Sequence, residues 1–141
     1  MGEHIDTFVE CLGCKDGRTI DPIQHWARKT YGVTQVDFDT EPGMDLFLSS
    51  CSKGEQEKLK KKVLITIEQH LGRVILVAGH CECVGNPVSA EEHRQHITKA
   101  CEVVRSWDLP EGIKIIGLLV NGDGTWQVEV VSPADPASGY N

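Results

Sequence analysis

The stretch Arg73–Cys83, RVILVAGHCEC, limits the fold more than any other part of the chain. Val74, Ile75, Leu76, Val77 and Ala78 are apolar without alternation, the pattern of a strand covered on both faces, as in the middle of a parallel sheet flanked by helices. The run stops at Gly79 and passes into His80, Cys81 and Cys83. One imidazole and two thiols thus stand at the carboxyl end of a strand, where open α/β sheets place their ligands.

The flanking sequence supplies the elements such a strand needs. Residues 5–13 read as a first strand ending at Cys14. Asp21-Pro22 predicts a helix start, with Ile23, Trp26, Ala27 and Tyr31 at helical spacing up to Gly32. Val33–Asp39 alternates as a second, more exposed strand. Residues 44–54 carry little signal; Leu46, Phe47 and Leu48 are expected to be buried and residues 49–53 to form a loop. Leu59, Val63, Ile67 and Leu71 predict a helix over residues 54–71, with Lys58, Lys60, Lys61 and Lys62 on its solvated face. Ser89 and Glu92 form a capping box for a helix running to about Trp107, with Ile97, Ala100, Cys101 and Val104 as its apolar stripe. A fourth strand over residues 113–121, a turn at Asn121–Gly124 and an alternating strand over residues 125–131 complete the domain.

This order predicts an α/β fold: a mostly parallel sheet of four strands plus an antiparallel edge strand, with helices on both faces. Residues 1–131 are expected to form one domain, and residues 132–141, with two prolines and no apolar period, a mobile tail. If the first strand lies between the second and third, right-handed crossovers leave a crevice at the carboxyl ends of the first and third. Cys14 then sits at one lip, and His80 and Cys83 at the other.

Charge removes several classes of partner. Twenty-one acidic and fourteen basic residues give a net charge of −7, which argues against nucleic acid or an anionic membrane. There is no basic segment followed by a long apolar run at the N-terminus and no membrane-length apolar stretch, so a cytoplasmic protein is expected. In that compartment six cysteines point to metal or redox chemistry rather than a disulfide framework.

Cys14, His80 and Cys83 offer two sulfurs and one nitrogen, a ligand set that suits zinc. Three protein ligands leave a coordination position for water, whose pKa zinc lowers to ~7. Asp16 follows two residues after Cys14, and Arg18 two after that. A guanidinium can hold a carboxylate off the metal by a charge-assisted pair, leaving Asp16 to accept a hydrogen bond from bound water; released, Asp16 becomes a fourth ligand. On the residues alone, other arrangements stay open: a structural zinc closed by Cys11 or Cys81, a redox pair Cys11-x-x-Cys14, or a surface ion pair at Asp16 and Arg18.

CKDGR at Cys14–Arg18, followed by a strand ending GHCEC at Gly79–Cys83, resembles the C-x-D-x-R and H-x-x-C motifs of the β-class carbonic anhydrases, in that family's order and strand context. The closing IIGLLVNGDGTWQVEVV also looks like the family's end. The resemblance implies Cys14, His80 and Cys83 as ligands of Zn2+, Asp16 and Arg18 as a catalytic dyad, reversible hydration of carbon dioxide to bicarbonate, and a homodimer or higher homo-oligomer. The chain departs from the family in three places. Val84 stands where glycine usually follows the second cysteine, with Gly85 one place later. DTEPGMDL at Asp39–Leu46 replaces an arginine- and asparagine-rich loop, and with thirteen residues before Cys14 the family's N-terminal helical clasp is expected to be missing. Altered walls would also suit another small heterocumulene, such as carbon disulfide or carbonyl sulfide, and loss of turnover would leave a non-catalytic zinc protein. His25, His70, His93 and His96 are expected to be solvated, Trp26, Trp107 and Trp126 to be core or subunit contacts, and Cys51 and Cys101 to be inert.

Overall fold

The computed structural model of the chain describes residues 5–121 and 125–133. Its sheet consists of β1 (Phe8–Cys14), β2 (Gln35–Glu41), β3 (Val74–His80), β4 (Lys114–Val120) and β5 (Val128–Ser132), and its helices are α1 (Ile20–Tyr31), α2 (Met44–Ser50), α3 (Lys53–Glu68) and α4 (Ala90–Arg105). The strands lie in the order β2-β1-β3-β4-β5. The first four are parallel, and β5 runs antiparallel to β4. The expected architecture holds, and β1 lies between β2 and β3.

All seven residues of β3 are buried, the consequence of apolar side chains on both faces of a strand with helices above and below. Ile75 and Val77 face a core built from α2, α3 and α4, including Leu48, Val63, Ile97 and Val104. Leu76 and Ala78 face the opposite layer, where Ile23 and Ala27 of α1 pack. In α3, Leu59, Val63 and Ile67 turn inward, while Lys58, Lys61 and Lys62 are exposed. Among the described residues, no helix is long and apolar enough to cross a membrane.

Four local expectations are corrected. Residues 44–50 form α2, so the expected loop begins only after it; Met44 and Leu48 are buried, whereas Leu46 is exposed. Next, α3 ends at Glu68 rather than Leu71, and begins at a capping box between Ser52 and Glu55. The chain enters α1 at Ile20, through a 3-10 turn at Gly17–Thr19 capped by the Asp16 side chain, so Pro22 lies inside the first turn rather than at its start. Finally, His93 is fully buried on α4. Residues 122–124 of the expected turn and residues 134–141 of the expected tail lie outside the described residues; Ser132 closes β5 and is buried.

Candidate metal centre

The site begins where two strands stop pairing. The ladder between β1 and β3 runs from Glu10 opposite Ile75 to Leu12 opposite Val77, so Gly13–Cys14 and Ala78–His80 extend past its last rung and leave a gap at the carboxyl ends. Cys14 closes β1 and His80 closes β3. The chain then reverses through Glu82, in the left-handed region at φ 58°, and returns Cys83 to Cys14.

Next to Cys83 the turn is held from two sides. The Asn86 N–H donates to the Cys83 carbonyl at 3.3 Å, and the Asn86 side-chain amide donates to Asp45 Oδ1 at 3.1 Å. Gly85 presses against the chain leading into α2: a Cβ there would lie 2.6 Å from the Pro42 carbonyl carbon. Glycine is therefore needed one place later than the family pattern has it. Val84 itself points outward and is 96% exposed, so it does not crowd the sulfurs.

The three side chains converge. One ligand atom from each of Cys14, His80 and Cys83 falls within 4.8 Å of the others, and all three residues are buried. Two sulfurs bound tetrahedrally to one ion at ~2.3 Å would stand about 3.8 Å apart. The Cys14 and Cys83 Sγ atoms are 3.8 Å apart. His80 Nδ1 lies 2.7 Å from the Cys81 carbonyl oxygen, which can only accept, so Nδ1 carries the hydrogen and Nε2 keeps a free lone pair. That Nε2 is buried without a hydrogen-bond partner. Burial, and then the neighbouring Cys14, push the Cys83 thiol up to about 11; a cation between the sulfurs would stabilise the thiolates instead. Donor types, spacing and the orphaned nitrogen all fit a zinc-sized ion.

Cys11 and Cys81 lie outside this cluster. Cys11 is sealed in the α1-side core, and the Cys81 sulfur sits 3.8 Å from Asn121 Oδ1. The described residues contain no fourth His, Cys, Asp or Glu within the compact group.

Asp16 stands at the edge, its Oδ2 3.9 Å from His80 Nε2. Arg18 grips it through Nε at 3.1 and 3.2 Å and a terminal nitrogen at 2.7 Å, while the Arg18 backbone N–H donates to Oδ1 at 3.0 Å. The Arg18 hydrogen bonds hold the Asp16 carboxyl at about 2. A cavity of about 400 Å³ opens beside them, lined by Cys14, Lys15, Asp16, Pro42, Val84 and Gly85.

A family model described as "Putative carbonic anhydrase" matches residues 4–132. The chain belongs to the β-class carbonic anhydrase family. No curated protein sequence matches. Among solved structures, the carbonic anhydrase from Glaciozyma antarctica shares the fold with a TM-score of 0.56 at 15% identity, over 88% of this chain and 81% of that one. One of two tetrameric β-carbonic anhydrases from Sordaria macrospora gives 0.57 at 13% identity, over 93% and 83%. The β-carbonic anhydrase CafA of Aspergillus fumigatus gives 0.51 at 12% identity, over 97% and 80%.

Sequence reading brought together the residues the fold brings together, but it missed those behind them. Asp45, Asn86 and His93 form a buried polar group under the Cys83 turn. Trp126, expected in a core or subunit contact, has its ring 6.3 Å from that of His80. Asp45 stands in a segment without periodicity, Asn86 in a loop and His93 on a charged helix 48 positions from Asp45, so no local signal announces their pairing.

Proposed function

We propose that the protein is a zinc-dependent carbonic anhydrase, interconverting carbon dioxide and bicarbonate with Cys14, His80 and Cys83 as the metal's protein ligands. The observation that carries this reading is that three ligand atoms, and not four, meet beside a carboxylate held back by an arginine. Zinc bound there would supply a Lewis acid that acidifies a water molecule near neutral pH.

The protein's own residues divide the remaining tasks. The His80 ring is locked by its Nδ1–H donating to the Cys81 carbonyl. Asp16, ionised far below neutral pH, can only accept hydrogen bonds, and so orients the reacting water through one O–H. Arg18 occupies the other lone pairs of that carboxylate, which keeps Asp16 from becoming a ligand itself. Pro42, Val84 and Gly85 give the cavity an apolar wall, suited to a small linear molecule without a charge, and Lys15 places a cation where an anionic product would leave. Val84 is exposed at the rim of the site, and the Sordaria relatives are tetrameric; both support a homodimer or higher homo-oligomer that covers this edge.

Stopped-flow hydration of carbon dioxide by the zinc-loaded protein tests the reading. A rate well above buffer that falls at least tenfold in Asp16→Ala is expected. One equivalent of zinc bound with no rate above buffer would replace it with a non-catalytic metal protein, and turnover of carbon disulfide or carbonyl sulfide alone would reassign the substrate.

A further inference from the structure

We propose that Trp126 is a positioning residue of this site, holding the Arg18 guanidinium in the pose that clamps Asp16. Its consequence for catalysis rests on the carbonic anhydrase reading; the contact itself does not.

Arg18 has a difficult task. Its side chain is 52% exposed, and ion pairs in contact with water hold long, flexible side chains weakly. Glu82, exposed on the turn between His80 and Cys83, also acts on Arg18 electrostatically and offers the guanidinium a competing partner. Yet Arg18 keeps a fork to Asp16 with its shortest contact at 2.7 Å.

Trp126 supplies the missing constraint. The Arg18 guanidinium carbon lies 4.7 Å from the centroid of the indole. A guanidinium can donate hydrogen bonds along its edges while stacking a face on an aromatic ring, so binding Trp126 does not compete with binding Asp16. The same indole is 6.3 Å from the His80 ring at an interplanar angle of 40°. One side chain therefore borders both His80 and the residue that restrains Asp16, linking the β4–β5 connection to the end of β1.

The backbone of Trp126 points the same way. At φ 48° it is left-handed, a conformation that bulky residues rarely adopt and that persists only where surrounding contacts fix it. One such contact is adjacent: the Asn121 N–H donates to the Gln127 carbonyl at 2.9 Å and closes the connection just beyond Trp126.

Two variants, Trp126→Leu and Trp126→Phe, test the assignment by two independent readouts. In the metal-free protein, the NMR signal of the Arg18 Nε–H, identified by its loss in Arg18→Ala, should carry a ring-current shift. That shift should vanish in Trp126→Leu and largely survive in Trp126→Phe. In the zinc-loaded protein, Trp126→Leu should lower kcat for carbon dioxide hydration by about tenfold, the size of one cation–π contact, with KM changed less than twofold. It should have no further effect on an Arg18→Ala background, and Trp126→Phe should retain most of the rate. An Arg18 signal unmoved by Trp126→Leu, or losses that multiply independently in the double variant, would overturn the proposal. If the wild-type protein hydrates no carbon dioxide, the functional reading fails while the NMR comparison still decides the role of Trp126.

Discussion

His93 Nδ1 lies 2.7 Å from Asp45 Oδ2, and the two side chains are 0% and 1% exposed. The other Asp45 oxygen accepts from the Leu46 N–H at 3.0 Å and from the Asn86 amide at 3.1 Å. One carboxylate thus joins α2, α4 and the turn that carries Cys83. Removing one partner of a buried pair leaves the other charged group or dipole uncompensated, which costs ~3–5 kcal/mol. Asp45→Ala and His93→Ala should each lose about that much in urea unfolding, and Asp45→Ala should also bind zinc more weakly, because the Asn86 amide then loses its carboxylate anchor. A loss near zero for both would show that the pair does not hold the turn.

Gly79 follows from the same contact. A Cβ built on it would meet Asp45 Oδ2 at 2.7 Å and the Ile97 Cδ1 at 3.0 Å, and neither neighbour has space to withdraw into a packed interior. Gly79→Ala should cost ~1–3 kcal/mol, the range of overpacked cores. Since His80 is the next residue, zinc affinity should fall with it, as isothermal titration would register.

Glu10 predicts a pH dependence. Burial, followed by the hydrogen bond and charge of Asp39, pushes its carboxyl from 4.5 to about 10. The hydroxyl of Thr66 stands between Glu10 Oε1 at 2.8 Å and Asp37 Oδ2 at 2.7 Å, with one hydrogen to share. The folded protein therefore keeps a proton that the unfolded chain releases between pH 4.5 and about 10. This group's contribution to stability is complete below 4.5 and is lost as pH rises through that window, by at most ~1.4 kcal/mol per unit. Unfolding free energies of Glu10→Gln minus wild type should rise in favour of the variant between pH 6 and about 8.5. A flat difference would mean that Glu10 is already ionised in the fold.

Legibility in the sequence followed how local each signal was. β3 is plain because burial on both faces removes alternation, and the meeting of Cys14, His80 and Cys83 is legible because Cys14 and His80 close their strands and Cys83 follows three residues later. By contrast, α2 was hidden. It is seven residues long, and its N-cap Gly43 is left-handed at φ 60° with no side-chain cap, so it offers neither a start signal nor two turns of periodicity. Leu46 looked buried by composition, but the helix turns Met44, Asp45 and Leu48 inward instead. His93, between Glu92 and Arg94 on a charged helix, read as solvated; its burial depends on a partner 48 positions away, a distance no local pattern reports. Asp16 likewise caps the 3-10 turn while being held by Arg18, and that double use displaced the expected helix start at Asp21.

Metal removal should be visible in stability as well as in turnover. A ligand present at 100 times its Kd stabilises the folded state by ~2.7 kcal/mol, so stripping zinc with a chelator should lower Tm by several degrees. The site is expected to take one equivalent. Cys81→Ser, whose sulfur faces Asn121, should keep that stoichiometry, whereas Cys83→Ser and His80→Ala should lose the zinc-dependent shift. If Cys81→Ser abolished binding, the ion would be held by a different set of sulfurs.

Arg18→Lys separates charge from geometry at the dyad. The variant keeps a cation near Asp16, but an ammonium can neither form a two-pronged fork nor lay a face on Trp126. Asp16 titrates at about 2, chiefly through the Arg18 hydrogen bonds; even at an ordinary carboxylate value near ~4 it would remain ionised at neutral pH. Any loss of rate at pH 7 must then come from where the carboxylate sits, not from its protonation. Carbon dioxide hydration should fall roughly 10- to 100-fold, within the range set by misplaced catalytic groups, while zinc content stays at one equivalent. Retention of the full rate would show that Asp16 needs only a nearby positive charge, and would remove the reason for Arg18 to be held by a fork and a ring at once.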